Sequence, residues 1–392
     1  MLLIAAPGQG AQAPGFLSAW LELPGWADRL GAWSELAGCD LIRAGTTADA
    51  DEIRDTAVAQ PLLVAAAVSA AEELFGGLSA APEKAGGVAG HSVGELAAGA
   101  IASVISPADA MRLIGIRGRA MAKAAAVTDT GMTAVLGGAE DDVLASIEKH
   151  GLTPANVNAA GQIVAAGTMD ELAAFAADPP AGARLRPLAV AGAFHTRHME
   201  PAVAELEAAT IDLDVHDPAL PLLSNRDGAV VASGADWIDR IVNQVSAPVR
   251  WDKCMATMAG LGITALIELP PAGTLTGLAR RALPGVAQLA VKTPEQLGAA
   301  RELIAEHCAA GQLAEPDGLG VGHLPEWRLI VAPTSGTFRS GGEGTLGTVV
   351  ARGGERAVTA PWPAEIIEWL AEDGDPVSEG QPLVRVQPRE GA

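Results

Sequence analysis

A serine held between two glycines, Gly90-His91-Ser92-Val93-Gly94, constrains this chain more than any other stretch. The small apolar run before it (Gly86, Gly87, Val88, Ala89) has the pattern of a buried strand, and residues 95–104 after it have helical character. A serine at a strand-to-helix turn, with glycines two residues before and after, is the nucleophile-elbow arrangement. Such a turn strains the backbone at Ser92, and a Cβ at position 90 or 94 would crowd the neighbouring strand and helix. In return the hydroxyl stands clear of the sheet, with backbone N–H groups aimed at whatever it attacks. Glycine-rich turns are common, so the pentapeptide alone fits a plain turn as well as a catalytic one.

The surroundings favour a sheet that can present such a turn. Residues 1–127 alternate short apolar strands with alanine-rich helices: a strand over 2–6, a helix over 61–74, the strand before Ser92 and a helix after Ser106. This is the pattern of a parallel sheet covered by helices. Met1-Leu2-Leu3-Ile4 lacks the basic start of a signal peptide and reads as the first core strand. Residues 128–192 change rhythm to strand 133–136, helix 141–149, strand 162–166, helix 170–177 and strand 184–190. This β-α-β-α-β run predicts a ferredoxin-like subdomain inserted in the larger one. The large domain resumes over 193–310, with a helix at 201–209, a hairpin turn at Asn225-Arg226-Asp227-Gly228, a strand at 265–269 and a helix at 294–310. Glycine- and proline-rich residues 311–326 read as a linker, and 327–392 as a small all-β module. The expected fold class is α/β. Its parts are an α/β-hydrolase-like, parallel-sheet large domain, the ferredoxin-like insert and the C-terminal module.

Composition excludes several functions. A net charge of −21 argues against nucleic acid. No apolar run of transmembrane length stands out, which argues against a membrane. Cys39, Cys254 and Cys308 are isolated and lack metal-ligand spacing, which fits a reducing cytoplasm and no metal.

Ser92 needs a base, and among seven histidines His195 ends the apolar run 188–194 just before a helix. Strand-exit loops are where α/β sheets place catalytic groups, although a partly buried structural histidine fits the same position. His198 adds no metal pair, because no third ligand lies at a plausible spacing. On the helix opening at Ser106-Pro107-Ala108-Asp109, Arg117 falls on the apolar stripe of Leu113, Ile114 and Met121. A buried arginine must find an anion, either an internal carboxylate or that of a substrate. In Pro7-Gly8-Gln9-Gly10-Ala11-Gln12 the glycines let a ligand approach, and the Gln9 N–H is a candidate oxyanion donor.

Taken together, PGQGAQ (7–12), GHSVGE (90–95), IRGRAM (116–121), NVNAAGQ (156–162), GAFHTRHM (192–199) and NQVSAPVRW (243–251) stand in the order of one family. Residues 1–310 resemble the malonyl-CoA:acyl-carrier-protein transacylases of fatty-acid and polyketide synthesis. The resemblance implies that Ser92 takes the malonyl group as an ester and that His195 moves its proton. Arg117 then pairs with the free malonyl carboxylate, and the N–H groups of Gln9 and Val93 form the oxyanion hole. His91 lies beside the nucleophile, Asn158 lines the cleft from the insert, and Gln244 orients the histidine through its main-chain carbonyl in place of a triad acid. The partner implied is acyl carrier protein, with no cofactor, and a monomer is expected. Thioester-to-thioester transfer is nearly isoenergetic, so a covalent relay shielded from water, with ping-pong kinetics, is coherent chemistry. Phe194 and Val93 match the malonyl-selective pattern, where methylmalonyl-selective relatives carry serine and glutamine.

The C-terminal module resembles a biotinyl/lipoyl carrier domain in IVAPTSGTF (330–338), VTAP (358–361) and IIEWLAEDGDPVSEGQPLVRV (366–386). Gly353 stands about where the modifiable lysine would be, and no lysine follows Lys292, so biotin and lipoate attachment are excluded. The module is then a docking element for a carboxylase or carrier partner, or a passive relic. Two other readings of the whole chain remain: a serine esterase or thioesterase on the same elbow, and a non-catalytic scaffold organised by the module. Arg117 speaks against the first, since a neutral ester needs no buried cation. The intact set Ser92, His195, Arg117 and Gln9 speaks against the second. A basic patch at Lys253, Arg280 and Arg281 is a candidate docking site for an acidic partner, against the default of solvated surface charge.

Overall fold

The computed structural model describes residues 1–308, 328–341, 346–351, 354–359, 364–369, 371, 373–377 and 382–388. The chain divides into two units, Met1–Ala314 and Glu315–Ala392.

In the first unit, five parallel strands form one sheet in the order Ala287–Ala290, Ala265–Glu268, Leu2–Ala6, Gly87–Gly90, Leu222–Leu223. Leu2–Ala6 lies near the centre and is buried along its whole length, as a parallel strand covered on both faces must be. The elbow follows Gly87–Gly90 and leads into helix Gly94–Ile101, which ends three residues earlier than the sequence pattern predicts.

Helix Thr56–Phe75 begins a turn before the predicted start at 61, because Asp55 caps it by accepting the N–H of Ala57. Over 20 residues it reaches the length and hydropathy of a membrane span, which the sequence reading missed; 83% of its most apolar stretch is buried inside the protein. Helix Pro107–Ala125 starts as its sequence predicts: Ser106 accepts the N–H of Asp109, and proline occupies the first turn. The two helices meet at Gly118, where a Cβ would lie 2.9 Å from the Thr56 carbonyl oxygen. That close approach sets Arg117 against Gln60.

Residues 130–187 form strand-helix-strand-strand-helix-strand, one strand more than predicted. The additional strand is Thr153–Ala159, whose sequence (TPANVNA) hides it behind a proline and two asparagines and whose pairing is irregular at two points. The order is Ala183–Pro187, Thr130–Gly137, Gln162–Thr168, Thr153–Ala159, with every neighbouring pair antiparallel. A fifth strand, Val249–Arg250, joins parallel to Thr153–Ala159 from outside the predicted insert, so the small sheet is completed by the main chain of the larger part.

The described residues of the second unit contain seven strands and no helix. One sheet has the order Arg328–Val331, Pro382–Pro388, Ala364–Trp369, and the other Gly354–Val358, Gly347–Ala351, Gly336–Ser340, Pro376–Val377. Phe338, Val349, Leu383 and Val386 lie in its core. The predicted linker 311–326 and the lysine-equivalent Gly353 lie outside the described residues.

Candidate active site

Ser92 occupies the left-handed region with φ 51°, a conformation that costs a non-glycine residue of order 1–3 kcal/mol. A Cβ at Gly90 would collide with the backbone of Gly94 and Glu95, and one at Gly94 with the Ala6 carbonyl. The turn is further pinned by a residue that the sequence showed only as a hairpin asparagine. Asn225 Oδ1 accepts the Ser92 N–H at 2.7 Å, and its Nδ2 donates to the Gly90 carbonyl at 2.7 Å.

His195 is also left-handed, with φ 62°, and its N–H donates to the Val245 carbonyl. Its Nδ1 lies 2.8 Å from the main-chain oxygen of Gln244, and its Nε2 lies 2.7 Å from Ser92 Oγ. A carbonyl only accepts, so Nδ1 carries the proton and Nε2 offers its lone pair to the serine. Burial, then the nearby Arg117 charge, lower the histidine pKa to about 3 despite the Gln244 carbonyl, so the ring is neutral near pH 7. Among the described residues no group of histidines, cysteines and acids could hold a metal, and His198 joins no such group.

Arg117 is completely buried. Nη1 donates to Gln60 Oε1 at 2.7 Å and Nη2 to Gln244 Oε1 at 2.8 Å, and no carboxylate among the described residues lies within ion-pair distance. Burial lowers its pKa to about 10, opposed by Glu95, and it remains a cation. Its direct partners are therefore two neutral carboxamides, and the internal salt bridge is not formed.

The cavity in front of Ser92 is lined by Gln9, His91, Asn158, Phe194 and His195, and by Gln60, to which Arg117 donates; Arg117 itself is not among the lining residues. His91 Nε2 and Asn158 Oδ1 are 2.8 Å apart, and burial first of all lowers the His91 pKa. Neither the Gln9 nor the Val93 N–H donates to an acceptor among the described residues. Besides Asn225, the sequence reading missed Gln60 and Glu95. Glu95 carried a usable signal, as the one charged residue in the apolar helix Gly94–Ile101 (GELAAGAI). It is buried, and burial pushes its pKa up to about 7 against the opposing effects of the Asn225 N–H, Ser224, Gln244 and Arg240.

Residues 7–302 match the model of the acyl transferase domain. Over 297 residues the chain is 54% identical to a protein named malonyl CoA-acyl carrier protein transacylase from Mycobacterium tuberculosis, covering 76% of this chain and 98% of that one. The Escherichia coli protein of the same name is 32% identical over 306 residues, 76% of this chain and 97% of the relative. The crystal structure of MCAT from M. tuberculosis has 53% identity and a TM-score of 0.74, covering 77% of this chain and 99% of that one. A type II PKS acyl-carrier protein in complex with its malonyl-transacylase gives 27% identity and a TM-score of 0.70, over 77% of this chain and 99% of the other.

Proposed function

Since the chain belongs to the malonyl-CoA–acyl carrier protein transacylase family, we propose that it transfers malonyl from malonyl-CoA to the phosphopantetheine thiol of acyl carrier protein. His195 Nε2 takes the Ser92 proton as Oγ attacks the thioester carbonyl, and the N–H groups of Gln9 and Val93 receive the oxyanion. The coenzyme A sulfur leaves with the proton from the imidazolium, and Ser92 holds malonyl as an ester. The carrier thiol then gives its proton to His195 and attacks the ester, and Ser92 leaves protonated. The Gln244 carbonyl orients the imidazole throughout, while His91 and Asn158 line the approach.

The observation that carries the substrate is Arg117, a buried cation with only neutral direct partners. A free carboxylate on the acyl group gives it a planar anion to grip, with Gln60 turning aside. A neutral ester would not, which disfavours the esterase reading. Phe194, which lines the same cavity as Ser92, would set preference for malonyl over branched analogues. The scheme needs no cofactor and a single chain, and suits the cytoplasm. Intact mass spectrometry after incubation with malonyl-CoA tests it: a malonyl adduct forms and is absent in Ser92→Ala.

For the second unit we propose docking of a carboxylase or carrier partner, supported by its likeness in sequence to carrier modules and its lack of lysine. Deleting 318–392 tests this, and unchanged kinetics with unchanged captured partners would remove the idea.

A further inference from the structure

Three catalytic groups in the first unit converge, one residue removed, on a single buried carboxylate. Glu95 Oε2 accepts the Asn225 N–H at 3.0 Å and Gln244 Nε2 at 2.7 Å. Asn225 holds the Ser92 N–H through its side chain. Gln244 holds Arg117 through Oε1 and His195 through its main-chain oxygen.

We propose that Glu95 is the positioning residue of this site: through Gln244 it fixes Arg117 and His195, and through Asn225 it fixes the elbow. A carboxamide has two ends that are easily exchanged, and Gln244 stands between a group that only donates and one that only accepts. The guanidinium therefore draws its oxygen, and the carboxylate draws its NH2. Reversed, the amide would set oxygen against carboxylate and NH2 against guanidinium. The interposed amide also keeps the opposite charges apart. A direct Glu95–Arg117 ion pair would occupy the guanidinium, whereas a bridged pair compensates its charge and leaves it able to take a substrate anion.

Protonation of Glu95 turns the nearest acceptor of the Gln244 NH2, at 2.7 Å, into a group that can donate, and leaves that end of the amide to the longer bonds with the Ser92 carbonyl and Asn225 Oδ1, both at 3.2 Å. The charged and titratable groups around Glu95 are Arg117 on helix Pro107–Ala125, Arg240 on helix Gly234–Asn243, Cys254 on helix Trp251–Gly260, and His195 on its loop. Burial raises the Cys254 thiol, the two arginines stay charged and His195 titrates near pH 3, so near neutrality Glu95 is the member that changes charge.

The inference rests on the malonyl-transfer reading, and its test separates the two. Rates of malonyl-Ser92 formation are measured against pH by rapid quench and intact mass in the full-length protein and in Glu95→Gln. If the unaltered protein forms no adduct, the transfer reading fails. If it does, its kcat/KM is expected to show an acid limb near pH 7 that is missing from Glu95→Gln, whose kcat/KM at pH 8 is lower by about tenfold or more through misplacement of the reacting groups. Equal rates and an identical limb overturn the positioning role. Should Glu95→Gln fail to fold, Gln244→Met carries the test, since it breaks the bridge and leaves Glu95 and the main-chain carbonyl in place. Loss of the limb supports the inference, and its persistence overturns it.

Discussion

Ser92 Oγ and His195 Nε2 meet at 2.7 Å, each carried on left-handed backbone. Both are held there by neighbours that they do not react with, Asn225 for the serine and the carbonyls of Gln244 and Val245 for the histidine. Burial lowers the His195 pKa most, and the Arg117 charge adds to it. Removing a neighbouring cation favours the imidazolium, so the sign is upward. In Arg117→Ala, His195 is expected to titrate at higher pH than in the unaltered protein, followed by NMR of the labelled imidazole. Coincident titration curves would rule out the electrostatic link.

The elbow glycines give a steric prediction. At Gly90 and Gly94 the obstructing atoms are backbone, which cannot turn aside as a flexible side chain can. Gly90→Ala and Gly94→Ala should each cost on the order of 1–3 kcal/mol or more by overpacking and lower the thermal midpoint by several degrees. Gly277→Ala, where a Cβ meets nothing within 4 Å, is the control. Equal midpoints for all three variants would contradict the account of the turn.

How much could be read in advance divides along a physical line. Covalent geometry and helix capping act locally, so Gly90, Gly94, Ser106 and the opening of helix Pro107–Ala125 are visible as words in the chain. Arg117 was conspicuous because a cation on an apolar stripe demands a partner, but its partners Gln60 and Gln244 lie 57 and 127 residues away. The strand Thr153–Ala159 and the role of Asn225 escaped for the same reason. Pro154 and the asparagines have poor strand propensity, and their pairing is supplied by Gln162–Thr168 and Val249–Arg250. Asn225 looked like a turn former, and only the folded sheet brings it to Ser92, 133 residues away in sequence.

Glu95 links stability to pH with a definite sign. Its pKa is raised by burial from 4.5 to about 7 in the folded state, so between these values the folded protein binds more protons than the unfolded chain. The stabilising contribution of the protonated form is complete below pH 4.5 and is lost as pH rises through about 7. Glutamine does not titrate. The thermal midpoint of Glu95→Gln, relative to the unaltered protein, should therefore rise between pH 5.5 and pH 8 while its transfer rate stays low. A constant difference across that range would mean that Glu95 does not titrate there.

Phe194 lines the cavity one residue before His195, almost fully buried, and shares that lining with Met121, Met132 and Val164. On the proposed reading a phenyl ring there takes the space that a 2-methyl branch on the acyl group would need, and the next residue, His195, is tied by its N–H to the Val245 carbonyl. One methyl group in an apolar pocket is worth ~1–3 kcal/mol, a discrimination of roughly 10- to 200-fold. Phe194→Ser should accordingly raise kcat/KM for methylmalonyl-CoA relative to malonyl-CoA within that range. The proposed grip of Arg117 on the shared carboxylate would be untouched, so much of the change should lie in acceptance of the branched substrate. Competition between the two thioesters, read from the mass of the Ser92 adduct, measures the ratio directly. An unchanged ratio would remove Phe194 from the account of selectivity and turn attention to Val93, the other residue of the malonyl-selective pattern.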